Sequence, residues 1–340
     1  MIIDSFDTKK DVLIIAEIGN NHEGSYALAE ELIGLAAKAG AGAVKFQTII
    51  PEKLVTPKNK ARIEQLNKFR LTYKEFEQLS KVAKKEKVLF LSTPFDIESA
   101  AFLNTIVPAF KIASGDNNFY PLIEYISNTG KPILMSSGLA DMDQLRETTN
   151  FISRIWKKRR IKQELAILHC VAKYPVALTE ANLLSIENLK KLNVTVGYSD
   201  HTIGVEAAII SVALGARIIE KHFTIDKNYS DFCDHKLSAD PKEFALLIRR
   251  IKETIEILGS GDVSDQERKH ILTSNIRRSI VANHDLKKGM TISSKDITWL
   301  RPGGGLPPGS EGKILGKVLK KSIQRGEMIL FSHVLQNGKK

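Results

Sequence analysis

Short apolar runs and amphipathic stretches alternate along the chain up to about residue 260. The apolar runs are rich in Val, Ile and Leu, which is typical of strands in a parallel sheet that is buried on both faces. The stretches between them repeat apolar residues at helical spacing, as in Tyr73–Lys85 and Pro241–Leu258. The pattern therefore predicts an α/β fold in which helices alternate with parallel strands.

Eight such strand–helix units fill about 250 residues, the usual size of a closed (β/α)8 TIM barrel. We predict this barrel over residues 1–260, with further helices at Ala27–Ala39 and Met142–Ile155. An open doubly wound sheet is the alternative, but no G-x-G-x-x-G turn follows the first strand. The predicted strands are Val12–Glu17, Ala43–Phe46, Val88–Leu91, Ala109–Ile112, Pro132–Met135, Leu165–Leu168, Val194–Gly197 and Arg217–Glu220.

The alternation of strands and helices stops after residue 260. Residues 261–276 are interpreted as a connecting segment. Residues 277–340 contain short apolar runs separated by Gly turns and Pro-Gly clusters, as in RPGGGLPPGS. This pattern predicts a small β-rich module at the C-terminal end.

Composition and cysteine usage are those of an ordinary globular protein. Hydrophobic residues make up 43% and charged residues 26% of the 340 residues. Cys170 and Cys233 form neither a disulfide framework nor a thiolate metal signature, so a reducing, cytoplasmic setting is expected. The apolar run Val12–Ile15 is too short for a signal peptide or a membrane span, so no membrane association is expected.

The chain is basic, with 50 Lys and Arg against 39 Asp and Glu, a net charge of +11. Its densest basic run, Lys157–Arg160, lies at a predicted helix end and has no interleaved aromatic residues, as in a solvated surface. Nucleic-acid binding is therefore not expected. The positive field instead favours small anionic substrates.

Polar side chains concentrate where the predicted strands end, which is where active sites form in barrels of this kind. Lys45 and Lys111 end two of these strands. A lysine in an apolar barrel mouth is costly unless an anion accompanies it. The partner is either Glu17 or Asp116 in a salt bridge, or a bound phosphate or carboxylate. A lysine could also form a Schiff base, so pyruvate-lyase chemistry is an alternative.

Two histidines, His201 and His222, follow adjacent predicted strands beside Asp200 and Glu220. Neutral imidazoles presented to one point suit a divalent metal that keeps open positions for substrate. The alternative is that each imidazole only forms hydrogen bonds to neighbouring loops. Hydroxyl groups that could add to an anion cradle come from Thr93, Ser114, Ser136 and Ser199.

Seven segments of the barrel region, together with the C-terminal module, resemble the sialic acid synthase family over nearly the whole chain. The matching segments are IAEIGNNHEG, AGAVKFQT, STPFD, KIASGDNNFYPL, SSGLADM, VGYSDHTIG and ALGARIIEKHFTIDK. The module from residue 277 resembles that family's antifreeze-like (SAF) domain. The resemblance implies a TIM barrel followed by an SAF domain, in a domain-swapped homodimer.

The resemblance also implies the reaction. Phosphoenolpyruvate would condense with the open-chain aldehyde of N-acetylmannosamine to give N-acetylneuraminate and phosphate, with Mn or Mg as cofactor. The implied phosphoenolpyruvate contacts are Lys45, Thr93, Lys111, Ser114, Ser136 and Ser199. The implied metal ligands are His201 and His222, and the implied sugar contacts are Gln47, Tyr174, Asp234 and Arg301, the last reaching the barrel of the second subunit.

Asp116 stands where many relatives carry Glu, and we expect it to position water or transfer a proton, with Glu17 and Lys45 as the other catalytic residues. The acceptor sugar is open at this point. A legionaminate or pseudaminate synthase would use a 2,4-diacetamido-trideoxy hexose, and a phosphorylated sugar is a further possibility. A non-catalytic glycan-binding protein is the alternative from another class.

Overall fold

In the computed structural model, residues 1–263 and 273–335 are described. The chain divides into two compact units, Met1–Leu258 and Gly259–Lys340. The first unit contains the parallel sheet and its helices. Its strands begin with a short antiparallel hairpin, β1 (Ile2–Ile3) and β2 (Phe6–Asp7).

Within residues 1–263, eight parallel strands form one sheet in the order β5-β4-β3-β10-β9-β8-β7-β6. The two end strands, β5 and β6, also lie against each other, so the sheet curves round into a barrel. The strands are β3 (Leu13–Gly19), β4 (Ala43–Thr48), β5 (Leu89–Pro94), β6 (Phe110–Ile112), β7 (Ile133–Ser136), β8 (Leu165–Cys170), β9 (Thr195–Asp200) and β10 (Ile218–His222).

Helices connect the strands and cover the outside of the sheet. Their ends follow local rules: Thr72 and Glu75 form a capping box before one helix, and Gly40 takes a left-handed conformation after another. The helices are α1 (Tyr26–Ala39), α2 (Pro51–Leu54), α3 (Lys60–Phe69), α4 (Tyr73–Lys85), α5 (Ile97–Leu103), α6 (Tyr120–Asn128), α7 (Met142–Arg159), α8 (Ser185–Leu189), α9 (Glu206–Ala213), α10 (Cys233–Leu237) and α11 (Pro241–Leu258).

Two apolar layers hold the barrel together. The larger layer lies between the sheet and the helices. The smaller one fills the barrel interior with inward-facing residues such as Leu13, Leu91 and Leu134, and Met1 and Ile3 of the N-terminal hairpin pack into it. The hairpin therefore closes the end of the barrel at which the strands begin, and polar groups are concentrated at the other end.

The predicted barrel is confirmed, strand for strand. Most strands run one to three residues beyond their predicted ends, as when β9 ends at Asp200 instead of Gly197. The reason is that polar residues near the carboxyl ends still form ladder hydrogen bonds, while they break the apolar pattern from which the ends were predicted. The helices Tyr73–Lys85 and Pro241–Leu258 have their predicted bounds.

The second unit contains a helical turn, α12 (Thr273–Ile276), and an antiparallel pair, β11 (Ser279–Ala282) and β12 (Ile297–Leu300). Isolated bridges such as Leu286 to Ile323 surround a small core of its own. The predicted β-rich module is thus confirmed. Of the connecting segment predicted over 261–276, residues 264–272 lie outside the described residues, as do 336–340 of the module. No described helix is both long enough and apolar enough to span a bilayer.

Candidate active site at the carboxyl ends of the barrel strands

Most of the predicted site residues meet at the carboxyl ends of the barrel strands, around a cavity of about 270 Å³. Parallel strands that close into a barrel end on one rim, so side chains distant in sequence line one space. The predicted residues that line this cavity are Glu17, Lys45, Gln47, Thr93, Lys111, Ser114, Ser136, Tyr174, Ser199, His201 and His222.

Two lysines and two glutamates form a buried charge cluster in the cavity wall. Lys45 Nζ lies 2.8 Å from Glu17 Oε2 and 3.7 Å from Glu220 Oε2. Lys111 Nζ lies 3.7 Å from Glu220 Oε1. The cluster explains how two lysines are tolerated inside a barrel, because each has a carboxylate beside it. The predicted bridge from a lysine to Glu17 is therefore present, while among the described residues neither lysine pairs with Asp116.

The pKa values of the two glutamates shift in opposite directions. Burial raises the pKa of Glu17 more than the Lys45 ammonium lowers it, and the nearby Glu220 carboxylate adds to the rise. Burial would also raise the pKa of Glu220, but Lys111 and Lys45 outweigh it and hold that pKa below its usual value. Glu17 is thus suited to hold a proton beside an ionised Glu220.

Hydroxyl groups accompany both ammonium groups. Lys45 Nζ donates to Thr93 Oγ1 at 3.1 Å, and Lys111 Nζ donates to Ser136 Oγ at 2.7 Å. A Cβ atom on Gly138 would lie 2.5 Å from Ser114 Oγ, so this position requires glycine. Cations and rotatable hydroxyls around one space are able to bind a phosphate or a carboxylate.

The rings of His201 and His222 lie 5.4 Å apart, and Tyr174 packs against His201 at 4.2 Å between centroids. His201 Nδ1 lies 2.9 Å from the carbonyl oxygen of Val171. A carbonyl only accepts, so Nδ1 carries the proton and Nε2 keeps its lone pair. Burial lowers the pKa of His222 well below its usual value, which keeps that imidazole neutral. Burial also opposes a charge on His201, but the neighbouring Cys170 and the Val171 carbonyl outweigh it and raise the pKa of His201.

These two imidazoles fit a divalent metal. His222 Nδ1 is buried without a hydrogen-bond partner among the described residues, and Asp234 Oδ2 lies 4.0 Å from it. Within residues 1–263 and 273–335 no cluster of three or more His, Cys, Asp and Glu side chains is arranged to hold an ion. A divalent ion in this cavity would take the two imidazole nitrogens and complete its coordination with water or substrate.

A buried ion pair ties together the strands that carry the two histidines. Lys221 Nζ donates to Asp200 Oδ2 at 2.9 Å, and the two residues are register partners of β10 and β9. Asp200 Oδ1 also accepts from the backbone and hydroxyl of Thr202, each at 2.8 Å. Because Asp200 precedes His201 and Lys221 precedes His222, this pair holds both imidazoles in place.

A second cavity of about 300 Å³ adjoins the first and shares Gln47, Tyr174 and His222 with it. Asp234, a predicted sugar contact, lines this second cavity. Burial raises the pKa of the Asp234 carboxyl. Sequence reasoning missed four further lining residues: Asn20, Arg62, Phe232 and Cys233. Arg62 lies on α3, in the long connection after β4. The polar sequence of this connection does not show the apolar pattern from which the barrel was predicted.

Two predicted residues lie outside both cavities. Asp116 ends the turn Ser114–Asp116 after β6, and burial raises its pKa to about 6. Its neighbours Ser114 and Gly115 line the first cavity, whereas Asp116 is not among the lining residues in the part of the chain that the structure describes. Arg301 belongs to the second unit, where it follows β12 and is exposed.

Glu220 is the central residue that sequence reasoning left without a role. Side chains alternate along a strand, so an inward His222 on β10 places Glu220 inward too. That alternation is the signal that could have identified it. It accepts from Ser199 Oγ at 2.9 Å and faces both lysines.

A (β/α)8 barrel with cations, hydroxyls and two imidazoles at its strand ends defines the class of barrel enzymes that act on anionic substrates. The particular family follows from sequence. The NeuB family profile matches residues 32–263, and the SAF domain profile matches residues 277–335. The chain belongs to the NeuB family and is an enzyme of the transferase type.

Several of its relatives are sugar-acid synthases. The N,N'-diacetyllegionaminic acid synthase of Campylobacter jejuni is 37% identical over 94% of this chain and 99% of its own length. Pseudaminic acid synthase of the same species is 35% identical over 97% of this chain and 98% of its own. The solved N-acetylneuraminic acid synthetase of Leptospira borgpetersenii, in complex with citrate, is 35% identical and covers 78% of this chain and 93% of that one, with a TM-score of 0.72.

Proposed function

We propose that this enzyme condenses phosphoenolpyruvate with the open-chain aldehyde of an acetamido sugar, giving a nine-carbon sialic-acid-type sugar and phosphate. One observation carries the proposal: two buried lysines with hydroxyl partners share a cavity with two imidazoles. An anion cradle thus lies next to ligands for an ion that can activate an aldehyde.

Phosphoenolpyruvate occupies the cradle. Lys45 and Lys111 bind its phosphate and carboxylate, and the hydroxyls complete the set: Thr93, Ser114, Ser136 and Ser199. In the free enzyme Glu220 contacts both lysines. An incoming anion replaces Glu220 as their partner, so neither ammonium group is left buried alone.

The acceptor sugar occupies the adjoining cavity, against Gln47, Tyr174 and Asp234. Gln47 Nε2 donates to Glu17 Oε1 at 3.1 Å, so Glu17 joins the sugar side to Lys45. Its raised pKa allows Glu17 to carry a proton and give it to the aldehyde oxygen. A divalent ion, Mn or Mg, held by His201 and His222 supplies Lewis-acid polarisation of that oxygen when bound.

The proposed steps conserve bonds and protons. Carbon three of phosphoenolpyruvate attacks the aldehyde carbon, and the aldehyde oxygen takes the proton from Glu17. Water then adds at carbon two and gives one proton to a base. As the ketone forms, the bond from carbon two to the phosphate oxygen breaks and the second proton of the water leaves with the phosphate. Asp116 positions that water or takes its proton, since a pKa of about 6 suits a base near neutral pH.

For the acceptor we place a 2,4-diacetamido-trideoxy hexose first. The legionaminic acid synthase relative is 37% identical over nearly the whole of both chains. In the second cavity, Phe232 presents an aromatic ring that packs against Phe69 at 4.9 Å, a surface suited to the methyl group of a 6-deoxy sugar. N-acetylmannosamine is the second candidate, supported by the similarity to an N-acetylneuraminic acid synthetase.

The enzyme acts as a domain-swapped homodimer in which Arg301 reaches the barrel of the second subunit. Exposed apolar side chains on the loops after β8 and β9 support a covered barrel mouth: Tyr174, Leu178, Leu184 and Ile203. A guanidinium there would bind the sugar through hydrogen bonds that lysine cannot reproduce.

The test is phosphate release from phosphoenolpyruvate in the presence of Mn, with each candidate sugar offered separately. Release that requires the 2,4-diacetamido hexose supports the first choice, and release with N-acetylmannosamine alone supports the second. The proposal would be contradicted if folded, metal-loaded enzyme released no phosphate with either sugar or with N-acetylmannosamine 6-phosphate.

A further inference from the structure

The segment between β10 and α11 carries Asp234 to the edge of the sugar cavity. This segment, residues 223–240, contains only the short helix α10, so it has little regular structure of its own. Something else must hold Asp234 at a defined position. The contacts of the next residue, His235, supply that restraint.

His235 is fully buried and bonded at both ring nitrogens. Its Nε2 lies 3.0 Å from Glu23 Oε1, and its Nδ1 lies 2.7 Å from Thr224 Oγ1. A carboxylate only accepts, so Nε2 carries a proton and donates it. Ser230 Oγ donates to the same oxygen of Glu23. We call these four residues, Glu23, Thr224, Ser230 and His235, the Glu23–His235 clamp.

The clamp joins two loops that are far apart in the sequence. Glu23 lies in the loop after β3, and β3 carries Glu17. The same two loops are tied a second time by Asn21, whose Nδ2 donates to the Phe223 carbonyl at 2.8 Å and to Ser238 Oγ at 2.9 Å.

The backbone of the first loop is held in an unusual conformation. Glu23 has φ of 46°, in the left-handed region that residues other than glycine rarely adopt. The next residue, Gly24, packs so closely that a Cβ atom there would lie 2.1 Å from the Lys68 carbonyl oxygen. Strained backbone of this kind persists where surrounding contacts fix it, and it concentrates at functional sites.

We infer that the Glu23–His235 clamp is a positioning device that holds Asp234 at the sugar cavity and thereby sets the affinity for the acceptor. The inference rests on the proposed function, in which Asp234 contacts the sugar. The lysines that bind phosphoenolpyruvate are on β4 and β6, and the clamp residues contact neither of them in the described structure. Loss of the clamp therefore weakens sugar binding selectively.

Steady-state kinetics of Glu23→Ala and His235→Ala test the inference. We expect the KM for the acceptor to rise about tenfold to a hundredfold, because the loss of a hydrogen bond to a charged group such as the Asp234 carboxylate weakens binding by about that factor. The KM for phosphoenolpyruvate should change less than about twofold, a split that a general loss of folded enzyme would not produce. Glu23→Gln keeps an acceptor for His235 and should restore most of the affinity.

Lys227→Met is the matched control. Lys227 lies in the same segment, but its Nζ pairs with Glu243 of α11, 2.6 Å away, and not with the loop after β3. The control should leave the acceptor KM unchanged. A rise equal to that of Glu23→Ala would overturn the inference, as would equal changes in both KM values for the clamp variants.

Hydrogen exchange separates failure of the clamp from failure of the proposed reaction, since it needs no substrate. In Glu23→Ala, amides of residues 224–238 should exchange faster, while those of β4 and β6 keep their protection. Unchanged exchange in residues 224–238 would overturn the clamp even if the reaction is as proposed. If Glu23→Ala exchanges faster and the wild type releases no phosphate with any of the sugars, the clamp stands and the proposed reaction is refuted.

Discussion

His222 offers a buried nitrogen without a hydrogen-bond partner among the described residues, in the wall of the first cavity. We predict that His222→Ala removes metal-dependent phosphate release and metal binding without unfolding the barrel, because Nδ1 of His222 bonds no other described residue. Calorimetric titration with Mn and thermal unfolding are the measurements.

His169→Ala is the control. Its ring bonds the Ala181 carbonyl at 2.8 Å and packs against Tyr198, so this change should lower the unfolding temperature and spare metal binding. Full metal affinity in His222→Ala would remove the metal assignment.

Asp116 gives a prediction of pH dependence. Burial raises its pKa from the ordinary 3.8 to about 6, so the folded state holds a proton that the unfolded state has already released in this range. Stability therefore falls as pH rises from about 4 to about 6. Relative to Asp116→Asn, the wild type should lose unfolding free energy across this window, as denaturant titrations at several pH values would show. Parallel curves for the two proteins would mean that Asp116 is solvated and titrates normally.

The same carboxyl should shape catalysis. If Asp116 takes the proton of the water, kcat/KM rises with pH through about 6 in the wild type and stays low and flat in Asp116→Asn.

Glu17, Lys45 and Lys111 were predictable as site residues, because burying an ionisable group at the end of an apolar strand is costly unless a partner or ligand meets it. The role of Glu220 was not predicted, because its contacts depend on which face of β10 it occupies.

At the scale of elements, the sequence was sufficient for the strands and the long helices. Their apolar spacing reflects burial directly, and it is repeated in every unit. The N-terminal hairpin and the detour through α2 and α3 were not predicted. Their residues bury one or two side chains each, as with Ile3 and Leu66, so they leave no periodic signal. Arg62, the residue of α3 that lines the second cavity, was missed for the same reason.

The pair of Lys221 and Asp200 provides a test at this scale. Lys221→Met leaves a carboxylate buried without its cation, so we expect a loss of about 3–5 kcal/mol in the free energy of unfolding. Lys190→Met, which breaks an exposed pair with Glu187 on α8, should cost about 1 kcal/mol or less. Guanidinium unfolding of the two variants gives the comparison. Equal small losses would show that water reaches Asp200.

The whole molecule combines the barrel with an SAF domain, and the proposed dimer brings the two together from different chains. Mixing Arg301→Ala with His222→Ala tests this, at a sugar concentration too low for Arg301→Ala to turn over alone. Random exchange of subunits makes half of the dimers mixed, and one of the two sites in each mixed dimer combines an intact barrel with an intact Arg301. About a quarter of wild-type activity should therefore return. A double variant, Arg301→Ala with His222→Ala on one chain, mixed with the His222→Ala chain, should recover none. No recovery in the first mixture would contradict the swapped arrangement.

The net charge of +11 also acts at the scale of the molecule. A positive protein attracts the phosphoenolpyruvate trianion, and salt screens this attraction. We predict that kcat/KM for phosphoenolpyruvate falls as NaCl rises, while the KM for the neutral sugar stays constant. The control is a matched series with a neutral osmolyte, which should leave both unchanged. A salt effect of equal size on both substrates would point to a change in the enzyme itself.

The N-terminal hairpin has a kinetic consequence. With Met1 and Ile3 packed into one end of the barrel, ligands in the described part of the molecule enter and leave at the other end. Lys45 and Lys111 are only 3% exposed, whereas Tyr174 at the sugar side is 51% exposed. In the proposed arrangement, the anion held by the lysines lies deeper than the sugar. We therefore expect phosphoenolpyruvate to bind before the sugar and phosphate to leave last.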